Sequence, residues 1–354
     1  MSVNYNKICF VLDHNLKEYR VPLFYHLNKM GYEITVMHPG PRVEGISLFK
    51  QIITQPQKIF FLYYRNLKNL NSFGVVVFMQ NLWMLDLWFH TLRPFKRFKI
   101  IHWGIGVSSS NGLTIKRTSI SIIRNLLSRT ASALILYSSA PLSLFSNKVI
   151  AKSFIANNTV ESNISKRYSS ETKNSIIFIG TLNKRKGLDL LIRAFNDYLN
   201  DYKHKTIDKL IIIGDGEEKE NLCELVSLLK IDDNVIFTGK ITSEEQKWAY
   251  FKNSAISVSL KQAGLSVLEC FSYGIPFVCF KNAISGGEHL NIQNGKNGYL
   301  IESIDELVSL LIKLDKTPEL AQKLSQNAFD YYHNERNMSQ MSKVFVKAFK
   351  FVNP

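Results

Sequence analysis

Residues 176–195, IIFIGTLNKRKGLDLLIRAF, decide how the chain is folded. A run of strand character ends at Gly180, a short loop carries Lys184, Arg185 and Lys186, and Gly187 opens an amphipathic helix over 188–199. Strand, tight loop and helix in immediate succession are the repeating half of a doubly wound sheet. The pattern recurs outward in both directions. Apolar runs at 8–12, 33–37, 75–79, 99–103 and 134–137 read as strands of one block, and those at 175–179, 209–213, 234–238, 255–260 and 276–280 as strands of another. Helical stretches such as 217–229 separate them. Continuous Val/Ile/Leu strands with helices between them mean parallel sheets covered on both faces. The expected fold class is α/β: two Rossmann-like, doubly wound domains facing a cleft. The first covers 1–158, a polar linker 159–174, the second 175–335, and a basic helix at 336–354 returns to the first domain.

Composition narrows the function classes. The chain has 354 residues, 45% apolar and 21% charged, which is ordinary globular material. Its opening residues hold only a short apolar run, too short for a secretory core, so a cytoplasmic location is expected. No apolar stretch approaches the roughly 20 residues that span a bilayer; the longest candidate, FGVVVFMQNLWMLDLWF, is interrupted by Gln80, Asn81 and Asp86. The four cysteines have no metal or disulfide spacing and read as reduced core thiols. Charge is unevenly divided. Residues 1–160 carry 19 Lys and Arg against 5 Asp and Glu, whereas 161–354 carry 25 against 24. The first half is therefore suited to an anionic partner. No pattern of aromatic platforms accompanies it, so nucleic acid is not expected, and no GxGxxG follows either first strand, which argues against a nicotinamide enzyme.

Chemistry-bearing residues cluster in the second half. Lys184, Arg185 and Lys186 at a strand-to-helix junction serve a phosphate site; taken alone they serve a solvated basic turn equally well. The turn at Gly214–Gly216 permits close backbone approach, and Gly239 ends another strand before a helix capped near Ser243. Gly264, Leu265 and Ser266 begin a buried helix whose free N–H groups can face a phosphate. One turn further in, Glu269 is a lone carboxylate among apolar neighbours and needs a partner. A ribose diol satisfies it, as does a buried group within the fold. Gly286 and Gly287 expose amides before Glu288.

In this order and spacing, the set resembles the nucleotide-sugar domain of retaining GT-B glycosyltransferases, the large "family four" group, especially its bacterial surface-polysaccharide members. The resemblance is looser in the first half, through YRVPLFYHL, IIHWGIG, SALILYSS and SFIANNT. It implies that Lys186 binds the donor diphosphate, helped by Arg185, and that Glu269 holds the nucleotide ribose. Gly180, Thr181, Gly214, Gly239, Lys261, Gly264, Leu265, Ser266 and Glu288 complete the donor site. Three positions depart from the family pattern: Thr181 replaces an arginine, Lys261 a glutamate that touches the donor sugar, and Ile105 a histidine. His102, if the strand end is shifted, and His14 are the candidates to stand in for that histidine; strand alternation, which directs Ile101 and Trp103 away from His102, suits a structural histidine equally well.

The implied reaction moves a sugar from a UDP- or GDP-linked donor, with retention, to a glycan acceptor. No metal and no further cofactor is implied. The acceptor implied is carried on polyprenyl diphosphate at the inner face of the cytoplasmic membrane, in O-antigen, capsule or exopolysaccharide assembly. Arg20, Lys116, Arg117 and Arg124 are expected to meet acceptor or anionic lipid, the last three on a helix over 113–132 whose basic face is otherwise merely solvated. A non-catalytic GT-B protein that binds nucleotide or glycan is the alternative.

Overall fold

Parallel strands built from those apolar runs form the centres of two sheets in the computed structural model, which describes residues 5–107, 112–164, 173–203 and 205–353. One unit runs to Glu161, apart from a short stretch ending at Gly112, and takes back the segment from Met338 onward; the other takes that stretch and Ser162–Asn337. Residues 165–172 of the expected linker lie outside the described residues.

In the first unit the order along the chain is β1 (Lys7–Val11), α1 (Val21–Lys29), β2 (Glu33–His38), β3 (Lys50–Ile53), the antiparallel pair β4 (Gln57–Ile59) and β5 (Leu62–Tyr64), β6 (Val75–Met79), α2 (Leu85–Leu92), β7 (Lys99–Gly104), α3 (Ser119–Thr130), β8 (Ala133–Leu136), α4 (Asn147–Ile150) and β9 (Ser153–Ile155). The sheet runs β3-β2-β1-β6-β7-β8-β9, all parallel. Alternation along the strands splits the core into two layers. Phe10 and Trp103 face one side; Cys9, Phe78 and Ile100 face the other, against Leu87 of α2 and Leu127 of α3.

Asp86, which interrupts the long apolar stretch, is fully buried on α2. It pairs with Arg65, itself 2% exposed, at 2.7 Å, and Arg65 also donates to the carbonyl of Leu12 at the end of β1. This pair ties the β4–β5 hairpin to α2 and to the central strand. Strands β3 and β9 and the hairpin were not among the expected elements; they are short and lie at sheet edges or outside the sheet, where burial imposes little pattern.

The second unit repeats the scheme: β10 (Ser175–Ile179), α5 (Leu188–Asp201), β11 (Lys209–Ile213), α6 (Lys219–Leu229), β12 (Val235–Gly239), α7 (Glu244–Phe251), β13 (Ser254–Val258), α8 (Ser266–Ser272), β14 (Phe277–Phe280), β15 (Gly298–Ile301), α9 (Ile304–Lys316) and α10 (Pro318–Tyr331). Its order is β12-β11-β10-β13-β14-β15. Strand order therefore reverses between β10 and β13, the position outside which ligands of such sheets bind. The last helix, α11 (Met338–Val352), belongs to the first unit. It sets Phe345 5.8 Å from Phe10 and 5.2 Å from Trp103, ring centre to ring centre.

Candidate functional site

The loops that leave β10 and β13 meet at this reversal. Lys261 donates its backbone N–H to the carbonyl of Lys186 at 3.3 Å, and its side chain lies over Gly187, where a Cβ would come within 2.9 Å of Cγ. Gly187 adopts φ 69°, a left-handed conformation that turns the basic loop into α5. Lys186 folds back over Gly180, its Nζ 3.8 Å from where a Cβ on that glycine would stand. Burial lowers the Lys186 pKa, Arg185 lowers it further, and Glu288 opposes both. Lys184, Arg185 and Thr181 are exposed beside it.

A third loop closes the arrangement. Ile284 donates to the Lys261 carbonyl at 2.8 Å and accepts from Ala263 at 3.0 Å. Just beyond, the Glu288 carboxylate accepts from the Gly286 amide at 2.8 Å and the Ser285 hydroxyl at 3.1 Å, so it is held by its own turn. Open space remains around Gly239 and Gly264, since a Cβ on either would meet nothing within 4 Å. Gly214 is different. A Cβ there would stand 1.8 Å from the Gly180 carbonyl oxygen, and on Gly216 2.4 Å from that of Leu182. The close approach that these glycines permit is thus made by the neighbouring loop.

Glu269 has a partner within the fold: Lys247 of α7 donates to its Oε1 at 2.5 Å, with side chains 24% and 16% exposed respectively. Of the two ways to satisfy this carboxylate, the internal one is present. Lys247 was missed in the sequence because its spacing from Glu269 carries no signal; the Ser243 cap that places it, accepting from Gln246 N–H, was visible. Leu265 and Ser266 start α8, as expected.

In the first unit the structure revises several expected roles. His102 is fully buried inside β7, hydrogen-bonded through Nε2 to Thr91 at 3.0 Å, and burial pulls its pKa down to about 3. It is a neutral core residue, two positions before the end of β7. His14 lies just past β1, half-buried, with Nδ1 on the Asn15 carbonyl at 2.8 Å; burial, then Arg20, lowers its pKa. Ile105 packs against the core. Arg20 is 5% exposed, donates to the Tyr137 hydroxyl at 2.8 Å and stacks 4.5 Å from the Trp103 ring centre. Arg124, 7% exposed, is on the inner side of α3. Neither arginine can lie on a lipid surface. Lys116 and Arg117 are exposed but precede the helix, which begins only after the Thr118 capping box.

Comparison with known proteins places this geometry. Residues 160–331 match the family model described as Glycosyl transferases group 1. An uncharacterized glycosyltransferase of Haemophilus influenzae is 30% identical over 158 residues, 44% of this chain and 43% of its own length. The N-acetyl-alpha-D-glucosaminyl L-malate synthase of Bacillus anthracis is 25% identical over 182 residues, 50% of this chain and 46% of its own. The chain thus spans less than half the length of these curated relatives. Among solved structures, Anabaena HepE in complex with UDP has a TM-score of 0.72 at 16% identity, covering 97% of this chain and 99% of that one. Staphylococcus aureus TarM, solved with UDP among its ligands, has a TM-score of 0.68 at 12% identity, with 97% and 99% covered. At such identities the two structures show the fold, which is the two-unit α/β GT-B architecture. With its cations gathered where the strand order of the second unit reverses, the chain resembles the glycosyl transferases group 1 family through residues 160–331.

Proposed function

We propose that the protein transfers a sugar from a nucleoside-diphosphate sugar, with retention of configuration and without a metal, to a lipid-linked glycan at the inner face of the cytoplasmic membrane. The product would enter a surface polysaccharide. One observation carries the donor part: Lys186 and Lys261 converge at the strand reversal of the second unit, beside the open space at Gly264. Two ammonium groups there match a diphosphate whose charge grows as the bond to the sugar breaks, which is electrostatic stabilisation of a leaving group. The remaining contribution of the protein is to hold donor and acceptor in line. Lys247 occupies Oε1 of Glu269, leaving Oε2 to accept a ribose hydroxyl.

Lys261 in the place of a family glutamate supports a donor sugar read through a cation rather than through a carboxylate. HepE and TarM were both solved with UDP, which favours uridine as the base to test first. The experiment is calorimetric titration with UDP and with GDP in EDTA, beside Glu269→Ala. Binding of one nucleotide, weakened by the substitution, is the expected result. Absence of binding to either would reject the donor site. Nucleotide binding with no transfer to any glycan acceptor would favour the non-catalytic alternative, to which Thr181, Lys261 and Ile105 point.

A further inference from the structure

The first unit breaks a rule of local sequence choice at two places. The β4–β5 hairpin turns on Phe60 and Phe61, where the preferred pair is Asn-Gly. Phe60 sits at φ 55° and is 89% exposed; Phe61 is 69% exposed. Beyond α2, Phe95 repeats the anomaly at φ 54° and 98% exposure. A bulky aromatic in the left-handed region is disfavoured sterically, and full exposure returns nothing for it in the folded chain. Such conflicts between local preference and structure mark functional positions.

The hairpin and the Phe95 loop flank the two ends of α2. Tyr63 donates its N–H to the Trp83 carbonyl at 2.9 Å, and the Phe61 and Trp83 rings meet edge to face at 6.3 Å. Trp83 leads into α2, whose outer face exposes Phe89 and Leu92 before the chain reaches Phe95. Beside α2 packs α3, which exposes Ile120, Ile122, Ile123 and Leu126. The Arg65–Asp86 pair holds the hairpin to α2 as a rigid mount.

Charge selects the occupant. Between Glu44 and Glu161 the only acidic residue is Asp86, and it is buried against Arg65. In the segments that carry these apolar side chains, Lys58, Arg97, Lys99, Lys116, Arg117 and Arg129 are exposed. Aromatic tips surrounded by cations, with no exposed acid in that stretch, match a bilayer surface whose phosphates lie above an apolar interior. We propose that this face docks the protein on an anionic phospholipid bilayer, with Phe60, Phe61 and Phe95 inserted between the headgroups. The inference rests on the reading that the acceptor is membrane-borne, and it replaces Arg20 and Arg124 by residues that are exposed.

The test uses the intact chain and vesicles of phosphatidylglycerol and phosphatidylcholine in equal parts, read by co-flotation and by quenching of tryptophan fluorescence with brominated acyl chains. The variant is Phe60→Asn, Phe61→Gly and Phe95→Asn together. It installs the preferred turn and a residue tolerant of positive φ, so it should fold at least as well. The wild type should float and be quenched, with the quenching reduced by Trp83→Phe. The triple variant should lose at least tenfold in vesicle affinity while its melting temperature holds or rises. Wild-type flotation in the triple variant, or flotation without quenching, would overturn the proposal. So would a wild-type dimer in sedimentation that the variant abolishes while vesicles are ignored. Since vesicle binding is read without nucleotide, failure of the UDP and GDP titrations would reject the donor reading and leave this result standing.

Discussion

The two units share a topology and differ in what they show to solvent. Among the described residues, the second unit exposes three large apolar side chains, Leu228, Ile236 and Leu290, while the others exposed in the chain, from Met30 to Phe351, belong to the first. Charge follows the same division, with a surplus of cations before residue 160 and near balance after it. The interiors also differ. The first unit buries an ion pair, Arg65–Asp86, and three histidines, His38, His90 and His102; the pair around Glu269 in the second remains half-buried. A common sheet order thus supports two surfaces. One exposes apolar side chains among cations, and the other concentrates its unusual residues in loops at one end of a sheet.

The ion pairs give the largest contrast. Asp86→Ala leaves a guanidinium buried at 2% exposure and should cost about 3–5 kcal/mol in urea unfolding. Glu269→Ala releases a lysine that still reaches water and should cost about 1 kcal/mol or less. Equal costs would remove the distinction between the units. Next in size is Lys186→Ala, expected to lower turnover about 10²–10³-fold with unchanged unfolding. Near-normal turnover in a transfer assay would dissociate the basic loop from the reaction.

Acid should act first on the first unit. The His102 pKa is held far below the unfolded value near 6.5, so its contribution to stability is complete above about 6.5 and declines as pH falls toward 3. In that window the unfolded chain binds the extra proton, with a slope approaching about 1.4 kcal/mol per pH unit. His102→Gln should flatten the decline seen in unfolding measured between pH 6.5 and 4; an unchanged profile would assign acid sensitivity elsewhere. The one expected gain is in the first unit: Phe60→Asn alone should raise stability by about 1 kcal/mol by relieving the left-handed aromatic. A loss instead would mean that Phe60 packs within the folded chain.

Much of this was legible in the residues. Strands 175–179 and 209–213 were bounded as the structure has them, because fully buried parallel strands write continuous apolar runs. The basic loop, the helix at Ser266 and the terminal helix at 338–352 were visible for similar reasons. Other features were not. A short hairpin outside the main sheet has no burial pattern to announce it, and Asp86 looked like an interruption because its partner is 21 positions away. His102 and Arg124 looked available for chemistry because sequence states residue type and leaves the facing direction of a strand or helix to be judged.

By itself, then, the sequence determined the two doubly wound sheets, the charge division between the halves and the loop cations of the second unit, since periodicity and composition act locally and survive in a linear reading. Tertiary structure alone decided which polar groups face inward. It paired Lys247 with Glu269, buried Arg20 and Arg124, and left Phe60 and Phe95 in solvent. Those outcomes depend on which elements approach one another, and contacts between distant residues are energies that no local spacing records.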